Sequence, residues 1–256
     1  MSSNPHDVQI PPDQADPTDR AERTERAEEP FPDHHNDLAA TLRFAWQMIG
    51  RGVQDRRSAF HTPVLSSNSP DGPQARVLVL RAADAPGRTL IFHTDTRSAK
   101  LPELAADPRV ALTFYDAARK AQVRINGTAT AHANNALSQQ RWAASRPSSL
   151  WCYLGAQPGA ASSLPTSGLP AHVEGREPEL AELAIAEPHF AVLTVEVLQL
   201  EWLHLHTRGQ RRAMFTWAAE AGQSGQALEH KLGESHDEGA SDAVRSEVCS
   251  MQWLNP

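Results

Sequence analysis

Arg76 and Arg81 bracket the apolar run Val-Leu-Val-Leu. On a single extended strand an odd spacing places the two guanidiniums on opposite faces, at opposite ends of a buried stretch. A second cationic group follows the apolar segment 89–94: Arg97, Ser98 and Lys100 stand where a short helix begins. Free amides at a helix start, a hydroxyl and one or two cations make a cradle for a phosphate. Further on, Gln122-Val123-Arg124 opens another strand, and the Gln122 amide offers both a donor and an acceptor.

Other constellations carry less. His204 and His206 sit two apart on an expected strand and so share a face with Trp202, the spacing of a metal pair, but no third ligand stands near them in the sequence. His34-His35 reads as part of a solvated tail. Cys152 and Cys249 are too few for a disulfide framework or a Cys-ligated zinc site. No Ser-x-x-Lys, Gly-x-Ser-x-Gly or phosphate-loop pattern occurs, which leaves hydrolase and NTPase chemistry unsupported. No metal site is expected.

The elements that would position these residues are legible in the periodicity. Leu38, Leu42, Trp46 and Ile49 recur at helical spacing behind Asn36 or Asp37, predicting an amphipathic helix over 37–50. Strands are expected over 60–67, bent at Pro63, and over 76–81, 89–94, 109–115, 121–131, 190–206, 210–217 and 251–254. Short helices are expected over 98–106, 133–145 and 178–186, with a long Gly/Pro/Ser-rich loop over 155–176. Strands linked by turns, with helices between them, predict a mainly β antiparallel barrel of six or so strands.

Of 256 residues, 24 are Lys or Arg and 31 Asp or Glu, for a net charge of −7. Residues 1–35 hold nine acids and three bases, and residues 219–247 seven acids and two bases, so the remainder carries +4. An acidic chain with a basic middle points to a bound small anion rather than to nucleic acid. The Pro-rich acidic segment 1–35 reads as a disordered tail, 36–218 as the folded domain, 219–247 as an acidic insertion loop and 248–256 as a returning edge strand. No apolar run approaches the ~20 residues of a membrane helix and no secretory pattern opens the chain, so a cytoplasmic location is expected.

The ordered series Arg76-Val-Leu-Val-Leu-Arg81, Phe92-His-Thr-Asp95, Ser98-Ala-Lys100, Asp107-Pro-Arg-Val-Ala-Leu112 and Gln122-Val-Arg124 resembles the pyridoxamine 5′-phosphate oxidase group of FMN-binding split barrels. Arg146-Pro147, Gln157, Glu201-Trp202-Leu203, Arg211-Arg212 and the closing Trp253-Leu-Asn-Pro256 continue the likeness. The resemblance implies a six-stranded antiparallel split β-barrel, assembled as a homodimer with FMN at the subunit interface. Arg76 and Lys100 would hold the FMN phosphate, with Ser98 or Arg97 near. Val77, Leu78, Val79, His93 and Thr94 would line the cofactor. Gln122 and Gln157 would bond the flavin from its far side, and Trp202 and Arg212 would approach from the partner subunit. Arg81 and Arg146 would hold a small anionic substrate.

The chain also departs from the family pattern. Arg81 stands where the vitamin-B6 oxidases have Lys, His93 and Asp95 replace Tyr and Asn, and Ser98-Ala-Lys100 lacks one cation of Ser-Arg-Lys. A substrate-phosphate group of Tyr, Arg and Ser becomes Trp142, Arg146 and Ser149 or Leu150, and no His follows Arg211-Arg212. The implied activity is that of an FMN-dependent oxidoreductase transferring hydride to flavin N5, with the substrate open and no catalytic residue assigned. The alternatives are a flavin or haem carrier on the same fold, with His93, His204 or His206 as axial ligand, and a true pyridoxine/pyridoxamine 5′-phosphate oxidase.

Overall fold

The computed structural model describes residues 32–206, 209–218 and 248–256, and the compact unit begins at His34. The expected tail up to residue 31 and the expected insertion 219–247 lie outside the described residues. The tail boundary moves: His35 is buried, its ring centroid 5.0 Å from that of Trp202.

Helix α1 (Leu38–Gln54) forms where the apolar stripe predicts it. Asp37 caps it, its Oδ1 accepting from the Ala40 amide at 2.6 Å. The stripe Leu42, Ala45, Trp46 and Ile49 is buried against the sheet. Near its end Gly52 packs so closely on the Phe60 carbonyl that any Cβ would clash, and its own carbonyl meets His61 Nδ1 at 2.7 Å.

Nine strands are present among the described residues: β1 (Val64–Ser69), β2 (Gly72–Val77), β3 (Leu80–Asp84), β4 (Thr89–Asp95), β5 (Arg109–Asp116), β6 (Ala121–Ala133), β7 (Phe190–His204), β8 (Arg211–Trp217) and β9 (Val248–Leu254). Every pairing is antiparallel, in the order β2-β1-β5-β6-β7-β4-β3, with β8 on β7 and β9 on β8. The fold is mainly β, with helices α1, α2 (Lys100–Ala106), α3 (Ala136–Ala143) and α4 (Leu180–Leu183). The expected count of six strands is too low. The turn at Pro70 and Asp71 is tight enough for β2 to start at Gly72, and β8 and β9 form an outer pair branching from β7.

The segment from Arg76 to Arg81 is not one strand. It breaks at Leu78 and Val79, where the Leu78 amide donates to Pro63 instead of a ladder partner. β2 and β3 are thus two residues apart in sequence yet at opposite ends of the strand order. Three peptide steps reach at most roughly 11 Å, so the two ends must lie near one another and the sheet curls. No hydrogen-bonded ladder closes that seam among the described residues, and the sheet is open there.

β7 is shared along its 15 residues. Its first half pairs with β4, from Asp95↔Phe190 to Thr89↔Glu196, and its last with β8, from Gln199↔Thr216 to His204↔Arg211. Inside the curl, Leu65, Phe92, Phe114, Val123, Val195 and Trp202 build the main core beneath α1. A smaller cluster of Ile91, Leu137, Tyr153, Phe190 and Val192 covers the other face of β4. Hence β4 is buried on both faces, and neighbouring residues on it serve different surroundings.

Candidate functional site

Two groups of polar side chains are built around β4. The first joins β2, the end of β4 and the start of α2. Arg76 donates to Ser67 Oγ and, through Nη2 at 3.0 Å, to Glu103 Oε2; Ser67 Oγ donates to the same carboxylate oxygen at 2.7 Å. Lys100 Nζ donates to Thr94 Oγ1 at 2.8 Å and to Ser98 Oγ at 2.6 Å. Burial pushes the Lys100 ammonium below the usual lysine range, and the neighbouring Arg76 charge pushes it further, against the pull of Asp95 and Glu103. Arg76 and Lys100, on separate elements, therefore share one electrostatic site.

The turn carrying Ser98 is fixed by Asp95 and Arg97. Asp95 Oδ1 accepts from the Arg97 amide at 2.8 Å and its Oδ2 from Arg97 Nη2 at 2.7 Å, while the guanidinium also donates to the Gly155 carbonyl at 2.9 Å. Arg97 thus braces the turn. Lys100 bonds only hydroxyls among the described residues and keeps ammonium valence for a further acceptor.

The second group lies on the other face of β4. A cavity of about 500 Å³ is lined by Arg56, Arg81, His93, Arg141 and Arg146, with His61 held there by its bond to Gly52. No acidic residue among the described ones lines it. His93 Nε2 is buried without a hydrogen-bond partner among the described residues, as are the Nε atoms of Arg81 and Arg141. Burial, then Arg81 and Arg141, pushes the His93 imidazole down to about 3, so it is neutral at pH 7. Its ring packs edge-on against Phe190 at 4.8 Å. Sequence order predicts Arg81 and Arg146 here; Arg56, His61 and Arg141 carry no motif and are visible only once the fold brings them in.

Other expected site residues divide. Thr94 and Ser98 join Lys100, but His93, one residue from Thr94, points to the opposite face and joins Arg81 and Arg146. Val77 is exposed on the face opposite Arg76, while Leu78 and Val79 form the half-buried seam. Gln122 and Arg212 flank Leu203 on one outer face of the sheet. Arg212 holds Glu201 at 2.9 Å. Trp202 and Gln157 stand apart from both groups. Trp202 is fully buried in its own core, between Val123 and Ala213 in the ladder, and presents no surface to a second subunit. Gln157 is exposed in a loop and meets neither group.

Thr94 and Arg212 pair with β7 at Ala191 and Leu203, which at ~3.3 Å per residue puts them roughly 40 Å apart along the strand. The rings of His35 and His204 are 4.3 Å apart and those of His204 and His206 5.8 Å, but no group of three or more His, Cys, Asp or Glu among the described residues is arranged to hold a metal.

Both groups fall in one stretch of chain, 52–164, that matches the family model described as pyridoxamine 5′-phosphate oxidase. That stretch is similar to the pyridoxamine 5′-phosphate oxidase family. The pyridoxine/pyridoxamine 5′-phosphate oxidase of Granulibacter bethesdensis is 40% identical over 88 residues, 33% of this chain and 40% of that protein. Its counterpart from Burkholderia vietnamiensis is 35% identical over 124 residues, 47% of this chain and 53% of that protein. The matches thus span about half or less of these curated relatives. The fold extends the likeness. A pyridoxamine 5′-phosphate oxidase-related, FMN-binding protein from Nostoc punctiforme superposes with a TM-score of 0.58 at 20% identity, covering 84% of this chain and 97% of that one. PhzG from Burkholderia lata, in complex with tetrahydrophenazine-1-carboxylic acid, gives 0.54 at 15% identity, covering 90% and 99%. Trp202 and Arg212 lie outside the family stretch, and Arg76, Arg81, Lys100 and Arg146 inside it.

Proposed function

We propose that this chain is an FMN-binding oxidoreductase of the pyridoxamine 5′-phosphate oxidase type, acting on a small anionic substrate as a homodimer. The observation that carries the reading is Lys100, half-buried beside Arg76 and bonded only to hydroxyls. Glu103 holds Arg76, but no described carboxylate bonds Lys100, so the two like charges in a partly desolvated place still favour a further anion between them, and a phosphate dianion fits that donor set. Arg76, Lys100, Ser98 and Thr94 would hold the phosphate, with Glu103 and Ser67 fixing the Arg76 guanidinium. FMN, when bound, would supply the hydride acceptor at N5. Arg81 and Arg146 would hold the anionic substrate, with neutral His93 beside Arg81 as a hydrogen-bonding group.

The length of β7 supports the homodimer part of this reading. Gln122 and Arg212 can serve the same cofactor as Lys100 only if a second copy supplies them, since one chain holds them roughly 40 Å away. Val64, Val77 and Tyr115, exposed on the same outer face as Gln122, offer apolar surface for that contact.

The absorption spectrum of the protein as purified tests the reading. Flavin bands near ~370 and ~450 nm, weakened in Lys100→Ala, are expected. A Soret band instead would assign a haem carrier. Anaerobic bleaching of the flavin by pyridoxamine phosphate would make the chain a true vitamin-B6 oxidase, and no bleaching would leave another anionic substrate.

A further inference from the structure

Two sets stand out among the described arginines. Arg76, Arg97, Arg109, Arg119, Arg124, Arg176 and Arg212 each hold a carboxylate within 3.4 Å. Arg56, Arg81, Arg141 and Arg146 form no ion pair with any described residue, and all four line the cavity beside His93. They stand in two tiers. Arg81 and Arg141 are half-buried, with buried Nε atoms that no described group accepts from, and both act electrostatically on His93. Arg56 and Arg146 are exposed, at the mouth.

A fork-shaped guanidinium pair is satisfied by one carboxylate or phosphate group. Four unpaired guanidiniums around about 500 Å³, with no acid on the wall, exceed what one such group can neutralise. Buried donors left without acceptors are costly, so the inner tier calls for a ligand atom of its own. The depressed imidazole between them supplies a neutral donor or acceptor rather than a fifth cation.

We propose that the cavity takes a ligand bearing two separate anionic groups, one between Arg81 and Arg141 beside His93 and the other at the mouth between Arg56 and Arg146. The proposal deepens the reading of this cavity as the substrate site and rests on it for the term substrate; the anion binding itself needs no flavin. A compound with one phosphate or carboxylate would satisfy one tier and leave the other unpaired. A compound with both, separated by a short polar carbon chain, would satisfy the two together.

Titration calorimetry on the full chain as purified, with flavin occupancy read from its absorbance, tests this with three probes: 3-phosphoglycerate, glycerol 3-phosphate, which lacks the carboxylate, and glycerate, which lacks the phosphate. 3-Phosphoglycerate is expected to bind at least ten-fold tighter than either. Arg141→Gln and Arg56→Gln are each expected to weaken it three- to ten-fold or more, towards the affinity of the single-anion probes, with flavin occupancy unchanged. Arg56→Gln alters only the exposed mouth and carries the test should Arg141→Gln fail to fold. Equal binding of the three probes, or wild-type discrimination in Arg56→Gln, overturns the two-anion site while leaving the flavin reading standing. Discrimination in a protein without flavin does the reverse.

Discussion

Arg76 Nη2 and Glu103 Oε2 meet at 3.0 Å across the gap between β2 and helix α2, three residues on from Lys100. The contact ties a terminal strand of the sheet to the helix that carries the site's ammonium. It also sets a carboxylate behind the guanidinium, so that one fork edge is held and the rest stays available. The Arg76 side chain is 23% exposed and that of Glu103 12%, so the pair is screened less than a surface bridge.

Arg76→Ala would leave Glu103 partly buried without its cation. A loss of about 1–3 kcal/mol is expected, and Glu103→Gln added to it should recover part of that loss by removing the stranded charge. Thermal or urea unfolding of the two variants checks this. A double variant less stable than Arg76→Ala would place the stabilisation elsewhere.

Lys100→Ala removes a charge-assisted contact worth about 1.5–3 kcal/mol to a bound phosphate. The expected outcome is roughly ten- to hundred-fold weaker FMN retention, measured by fluorescence on dilution. Unchanged retention would detach the cradle from the cofactor.

Trp202→Ala is expected to cost about 3–5 kcal/mol of stability, as truncation of a fully buried aromatic does. Gln157→Ala, in an exposed loop, should leave both stability and flavin retention unchanged. A retention defect in Gln157→Ala on a normal melting curve would bring Gln157 into the flavin site.

His93 and His35 have imidazoles pushed down to about 3 and about 4, chiefly by burial, from the usual 6.5. The unfolded chain therefore takes up more protons than the folded one between those values, and stability falls as pH drops below about 6.5. The loss continues to about 4 for His35 and about 3 for His93. Denaturation midpoints between pH 8 and 4 should decline through this window, less steeply in His93→Gln. A flat profile in the wild type would contradict buried neutral imidazoles.

The single strands and the α1 stripe were legible because each follows a local period: Leu42, Ala45, Trp46 and Ile49 for the helix, and the alternation along β5 and β6 for the sheet. The split at Leu78 and Val79 was not, because a run of β-branched and aliphatic residues has the same local propensity whether or not the Leu78 amide finds Pro63. For the site, the pairing of Arg76 with Lys100 could be read from order and residue type. Arg56, His61 and Arg141 could not, since nothing in their own neighbourhoods separates them from surface cations. Trp202 was ambiguous for the opposite reason: an aromatic beside paired arginines suits a ligand or a core equally, and the fold buries it in the core.

β7 serves β4 with one half and β8 with the other while lying against β6 throughout. It works as a common beam. Sliding it by a single position would turn every side chain about, exposing Val195 and Trp202 while unseating Phe190 from beneath His93. The distant ends of the sheet are geared to each other by that one rod, and neither can be reshaped by drift in its register alone.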